Sequence, residues 1–201
     1  MDVVRKLEPL FYARPVVEVA QDLIGCYLVR ELPEGRIIGR INEVEAYEGA
    51  TDKASHAWGD RRTVRNEPMY CAGGIAHVYF VYGMHHCLNF VTGPQDEASA
   101  VLIRGLEIVS GHELVAQNRY GRGYNELTKM QRRNMTNGPA KLCQALHIGL
   151  DFDYEPLNGE RLFAASQIAC WQREAGEITS SKRIGIDYAE EAVDFLWRFT
   201  G

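Results

Sequence analysis

The sequence predicts an α+β protein: one domain built on an antiparallel sheet with helices around it. Three observations predict it. Apolar residues alternate in runs that come in pairs joined by turn residues, as hairpins do. Helical spacing is confined to short stretches with their own start and stop residues. The 201 residues contain no linker, repeat or low-complexity tract that would divide them, so residues 1–201 are expected to fold as one unit.

Taken in order, Pro15 opens a short amphipathic helix through Val16, Val19, Ala20 and Leu23, and Gly25 ends it. "CYLVREL" reads as a strand, "PEG" (Pro33 to Gly35) as a turn and "RIIGRINEVEAY" as the returning strand. Residues 49–74, rich in Gly, Asp, Arg and Asn, read as a long irregular loop of the kind that carries function. "IAHVYFVYGMHHCLNFVTG" is a second hairpin with its tip near Gly83, and "SAVLIRGLEI" a further strand. Ser110 and Glu113 form a capping-box pattern for a helix to about Tyr120. Residues 121–136 read as irregular and basic. "NGPAKLCQALHIG" reads as a helix capped by Asn137, with Pro139 in its first turn and Gly149 beyond its end. "RLFAASQIACW" and "RIGIDYAEEAVDFLWRFT" suggest further strands and a short turn or helix.

Composition excludes several classes. The first residues, "MDVVRKLEPLFYARP", have no apolar signal core, and no segment is long enough to span a membrane. A cytoplasmic protein is expected, at the bacterial nucleoid or, in a eukaryote, in the nucleus. The five cysteines are odd in number and lack CxxC spacing, which argues against a disulfide framework or a zinc knuckle. His77, His85 and His86 lack ligand spacing on a helix, so neither a metal nor another cofactor is expected. Net charge is −5, which speaks mildly against a nucleic-acid partner. Yet "RRTVR" (Arg61 to Arg65) and the stretch from Arg119 to Lys141 are locally basic, so either a basic binding face or an ordinary solvated surface fits.

The chemistry concentrates in "INEVEAYEG". Strand alternation puts Ile37, Ile41, Glu43, Glu45 and Tyr47 on one face and Ile38, Val44 and Ala46 on the other. A carboxylate on a partly apolar face is a paired group, a catalytic group or a surface acid of an edge strand. Arg104, which ends the apolar run "SAVLI", suggests a carboxylate or phosphate partner, with Glu45 the first candidate. Tyr79 and Tyr82 face opposite ways, so one can line a pocket while the other projects from the hairpin tip. His56 is either an anion-contacting loop histidine beside Arg61, Arg62 and Arg65 or a plain surface residue.

In this order and spacing, "EVEAYEG…D..SHAWGDRRTVRN..M", "VYFVYGMHHCLN", "AVLIRGLE" and "NGPAKLCQAL" resemble the alkyladenine (3-methyladenine) DNA glycosylase family from about Leu10 to Phe199. The resemblance implies a compact single domain with a curved, open-barrel-like antiparallel sheet and peripheral helices, and a monofunctional base-excision enzyme whose partner is duplex DNA containing a damaged purine; a monomer is the default for an enzyme that scans duplex. It makes Glu45 the residue that activates water, with Arg104 and the backbone carbonyl of Ile184 holding that water. Tyr47, His56 and Tyr79 become the walls around the extruded base, and Asn89 the residue that discriminates against guanine. Tyr82 becomes the wedge that fills the gap in the duplex, with Met84 beside it at the hairpin tip. Thr63, with Arg61, Arg62 and Arg65, Lys141 and Arg183 become the backbone contacts. Glu48 departs from the family pattern, in which an apolar residue follows the motif tyrosine.

Physics supports the assignment. Flipping a base out costs a few kcal/mol, so something must occupy the void. Aromatic walls return roughly 1–3 kcal/mol per stacked base. A carboxylate stabilises the positive charge that builds on the sugar. The alternatives are a lesion-binding module without hydrolysis and a metal-dependent hydrolase. The resemblance extends to excision of 3-methyladenine, 7-methylguanine, hypoxanthine or ethenoadenine, among which the residues alone do not choose.

Overall fold

The structure, a computed structural model, describes residues 4–81, 83–168, 171–172 and 176–201. The chain runs through β1 (Val4–Lys6), α1 (Pro9–Tyr12), α2 (Val16–Leu23), β2 (Tyr27–Leu32), β3 (Gly35–Glu48), β4 (Ala76–Val81), β5 (His85–Val91) and β6 (Ser99–Ser110). It continues with α3 (His112–Tyr120), α4 (Lys129–Arg133), α5 (Pro139–Ala145), β7 (Leu162–Ile168), β8 (Trp171–Gln172), β9 (Thr179–Ser181) and β10 (Arg198–Thr200). All described strands join one antiparallel sheet in the order β1-β7-β2-β3-β6-β5-β4, with β10 on β3, β9 on β10 and β8 on β7. The sheet is not closed into a barrel, and the expected α+β class holds.

β3 is the hub because its length lets it take different partners along one edge. Residues 35–40 pair with β2, residues 43–45 pair with β10, and β6 runs along the other edge. The main core lies between one face of the sheet and the apolar sides of α2 and α5. Leu23, Leu28, Ile37, Ile41, Phe90, Ile103 and Leu142 are fully buried there. A smaller cluster of Tyr27, Val29, Ile38, Phe163, Ala165 and Ile168 covers part of the opposite face.

The face assignment along β3 needs one correction. Ile37 and Ile41 belong to the main core, but so do Val44 and Ala46, two residues of the other parity. The β3–β6 register shifts between Ile41 and Glu43 and again between Glu43 and Val44. The first shift leaves Asn42 as an extra residue on β3, and the second leaves Arg104 as an extra residue on β6. A bulge reverses which side alternate residues face. Glu43, Glu45 and Tyr47 therefore turn away from the core that holds Ile37 and Ile41. On β6 the same switch puts Val101, Ile103 and Leu106 in the core, and it leaves Ala100, Leu102 and Arg104 to face the cavity described below.

Local signals differ at several helix ends. Ser110 is the last residue of β6, and α3 starts from Gly111 at φ 84 with no side-chain cap. A Cβ at Gly111 would stand 2.6 Å from the Arg36 carbonyl oxygen, so this tight strand-to-helix corner needs glycine. Glu113 accepts from the Tyr124 amide at 2.9 Å instead of closing a capping box. α5 is capped by Gly138, not Asn137, whose Oδ1 accepts from Lys141 Nζ at 2.9 Å, and it ends at Ala145. Residues 121–136 are more ordered than expected: a 3-10 turn at Tyr124–Glu126 precedes α4, where Thr128 and Gln131 form a reciprocal capping box. The loop 49–74 carries 3-10 turns at Trp58–Asp60 and Glu67–Tyr70. Buried Asn66 organises it, donating from Nδ2 to the carbonyls of His56 at 2.9 Å and Arg61 at 2.7 Å.

Gly49, where β3 gives way to this loop, is held by close approach: a Cβ there would stand 2.1 Å from the Ala98 carbonyl oxygen. Gly49→Ala is expected to destabilise the fold by about 1–3 kcal/mol through overpacking. Urea denaturation checks it, and an unchanged midpoint refutes it.

Candidate active site

The site grows from the part of β3 beyond the bulge. Glu45 has no exposed surface. A buried carboxylate needs donors from the protein, and three reach it. The Ile184 amide donates to Oε1 at 2.8 Å. The Tyr47 hydroxyl donates to Oε2 at 2.7 Å, and an Arg104 terminal nitrogen donates to the same oxygen at 3.2 Å. The partnership of Arg104 with Glu45 is thus present. Arg104 also donates from Nε to Glu43 at 3.1 Å. Ile184 reaches Glu45 through its N–H, a contact separate from the water-holding role expected of its carbonyl.

In front of this carboxylate lies a cavity of about 350 Å³, of the size that takes small ligands. Tyr47, His56, Tyr79, Asn89, Arg104 and Ile184 all line it, whereas Glu45 lies behind the lining, covered by Tyr47, Arg104 and Ile184. The His56 and Tyr79 rings meet edge to face with centroids 4.7 Å apart. Asn89 is buried and donates from Nδ2 to the His77 carbonyl at 3.1 Å, which fixes its amide in the wall. Tyr47 is backed by Arg183, whose guanidinium lies 4.7 Å from the ring centroid.

The walls are uncharged near neutral pH. Burial, then the charge and hydrogen bond of Glu45, hold the Tyr47 phenol far above its ordinary range. Burial, followed by Cys87, does the same to Tyr79. The His56 imidazole is brought down to about 4, first by desolvation and then by Arg65 and His77. Its outer side remains exposed at the cavity mouth.

The residues expected on DNA divide into groups. Arg61 and Arg65 are exposed beside the mouth, and Arg65 donates to the Phe80 carbonyl at 3.1 Å while lying over the Tyr79 ring. Arg62 is held by Glu67 and Asp96, so much of its charge is already matched. Thr63 is half-buried and donates from its amide to Asn66 Oδ1 at 2.7 Å. Lys141 is tied to Asn137, and Met84 is exposed near the hairpin tip. Tyr82, the expected wedge, lies outside the described residues. Arg183 is a clear correction. Its side chain has no exposure and forms a two-pronged pair with Asp52 at 2.5 and 2.8 Å, and it donates to the carbonyls of Ala46 and Ala192. A guanidinium held in that way cannot reach a phosphate.

Several contributors escaped the sequence reading. Asp52 hides in a loop rich in charged residues, and Glu43 showed only as part of an alternating pattern. Met69, Cys87 and Tyr188 line the cavity from elements distant in sequence, and nothing local marks them. Among the described residues no group of three His, Cys, Asp or Glu side chains is arranged to hold a metal ion. His77 is instead paired with Asp153 at 3.0 Å, and His86 packs on Phe80. No helix among these residues is long and apolar enough to cross a membrane.

Comparison with known proteins adds an independent line. The family described as methylpurine-DNA glycosylase (MPG) matches residues 10–201. A protein of Clostridium novyi (strain NT) is 46% identical over 97% of this chain and 94% of its own length. One from Clostridium acetobutylicum is 45% identical over 96% of this chain and 93% of its own. One from Desulfitobacterium hafniense (strain Y51) is 45% identical over 97% and 94%. Each carries the provisional name 3-methyladenine DNA glycosylase.

Two outcomes are expected from this geometry. Asp52→Ala leaves Arg183 buried and unpaired, and it should destabilise the protein by about 3–5 kcal/mol in urea denaturation. Arg183→Met should leave the salt dependence of duplex binding unchanged, because no phosphate contact is lost. A further outcome concerns acid. The folded-state value for His56 lies below the ordinary imidazole value of about 6.5, so the unfolded chain binds the proton first. Its stabilising contribution is complete above about pH 6.5 and is lost as pH falls toward about 4, moderated by the exposure of the ring. An NMR titration of the His56 ring protons with a midpoint near 6.5 would contradict this.

Proposed function

This chain belongs to the methylpurine-DNA glycosylase family, hydrolases of N-glycosyl bonds, and we propose that it excises an extruded purine by water that Glu45 activates. The observation that carries the reading is a cavity of base size walled by three ring side chains, with the fully buried Glu45 carboxylate held directly behind its lining by Tyr47, Arg104 and Ile184.

The damaged nucleotide leaves the duplex and its base enters between Tyr47, His56 and Tyr79. An alkylated purine such as 3-methyladenine or 7-methylguanine carries positive charge. Tyrosine faces attract that charge, and a neutral His56 does not repel it. Arg183 stands behind Tyr47 as a cation, but Asp52 matches its charge, so the front face of the ring stays attractive. Within the wall, Asn89 offers an amide edge that tests the base by hydrogen bonding.

The Tyr47 hydroxyl donates to Oε2 of Glu45 at 2.7 Å, so the ring that walls the base also orients the carboxylate that receives the water proton. The N-glycosidic bond lengthens and its electron pair leaves with the base. Positive charge gathers on the sugar, opposite the Glu45 carboxylate. Water oxygen bonds to C1′ while Glu45 takes a proton from it. The products are an abasic site and the free base. The cavity lining contains no lysine that could form a Schiff base, which supports hydrolysis without strand cleavage. Arg61, Arg65 and the exposed Lys129 and Arg133 supply cations for backbone contacts that set register.

Glu45→Gln should bind a duplex bearing one alkylated or deaminated purine normally. It should excise the base at least ~100-fold more slowly in single-turnover assays, given what a general base contributes. Excision at the wild-type rate would remove Glu45 from this role.

A further inference from the structure

We propose that Glu43 is the positioning residue of this site: it does no chemistry, and it aims the donors that in turn aim Glu45. This rests on the reading of Glu45 as the water-activating group. Glu43 does not line the base cavity and opens instead onto a groove on the far side of Arg104.

From there one of its oxygens, Oε1, accepts two hydrogen bonds. Arg104 donates from Nε at 3.1 Å and Arg198 from Nε at 2.7 Å. With Nε fixed, the planar guanidinium of Arg104 is left one orientation in which its terminal nitrogen meets Glu45 at 3.2 Å. Arg198 extends the frame, donating from a terminal nitrogen to Ser181 Oγ at 3.2 Å. Ser181 ends the strand that leads into Ile184, whose backbone amide donates to the other Glu45 oxygen, Oε1. A single carboxylate thus ties together the arginine on β6 and the segment that carries Ile184.

The backbone makes room for it. Glu43 pairs with Gly105, where a Cβ would crowd the Asn42 Oδ1 at 2.6 Å and the Glu43 Cβ at 3.1 Å. The net effect on Glu43 itself is a lowered carboxyl value: burial pushes it up, and the hydrogen bonds from Arg198 and Arg104 outweigh that. The group therefore stays an acceptor for both arginines.

Glu43→Ala should lower the single-turnover rate on a duplex with one hypoxanthine roughly 10–100-fold, the scale of a misplaced catalytic group. Binding of that duplex should stay within about threefold. Glu43→Gln, which keeps an oxygen facing the two Nε donors, should restore most of the rate. In the double variant with Arg104→Ala, the two losses should fall short of additive. A wild-type rate in Glu43→Ala, additive losses, or equal falls in rate and binding with no recovery in Glu43→Gln would each overturn the proposal. Should Glu43→Ala not fold, Arg198→Met cuts the frame one step further out and is expected to slow excision with binding kept, and an unchanged rate there counts against it. Glu45→Gln measured alongside keeps the two questions apart, because an active Glu45→Gln removes the underlying reading whatever Glu43 does.

Discussion

A carboxylate with no contact with water must be supplied with donors by the protein, and much of this structure follows from that constraint at Glu45. Its partners come from three places: Tyr47 two residues along the same strand, Arg104 on the neighbouring strand and the Ile184 amide from the C-terminal segment. None of the three elements can move independently without leaving a charge unsatisfied in a region of low dielectric. The same requirement explains why the C-terminal segment folds back onto β3, where Arg198 pairs opposite Glu45. The carboxylate is therefore held by the sheet it stands on and by the segment that folds back over it.

The bulged crossing of β3 and β6 is the backbone device that permits this. On an unbroken strand Glu43 and Glu45 would point to the same side as Ile37 and Ile41, into the apolar core. The extra residues at Asn42 and Arg104 move the acids out of the core and bring the arginine to the same side. The Arg104 carbonyl accepts from the Gly138 amide at 2.8 Å, so the irregular strand leaves that group satisfied and ties α5 to the site. Bulges placed next to active sites re-aim side chains in this way.

Charge is partitioned as carefully as geometry. The chain is acidic overall, yet its substrate is a polyanion. Acids are largely spent on internal pairing: Asp52 with Arg183, Glu43 with two arginines, Glu67 and Asp96 with Arg62. The exposed cations at Arg61, Arg65, Lys129 and Arg133 are left on the surface. Net charge is a poor guide to the local field for this reason, since the field at a surface depends on which charges are matched and where.

By itself the sequence determined the strands and hairpins, the α+β class and the short list around Glu45, Tyr47, His56, Tyr79 and Arg104. These depend on local alternation, turn residues and a motif set whose spacing survives in one dimension. It misjudged what depends on a partner far along the chain. Arg183 reads as a surface cation until Asp52, 131 positions away, closes on it. Ser110 has a capping pattern that the Gly111 corner overrides. The places of Cys87 and Tyr188 in the cavity wall had no local mark at all. Only tertiary structure decided that the acids of β3 turn away from the core, because single-residue bulges at Asn42 and Arg104, invisible to a period of two, reverse the faces of β3 and β6.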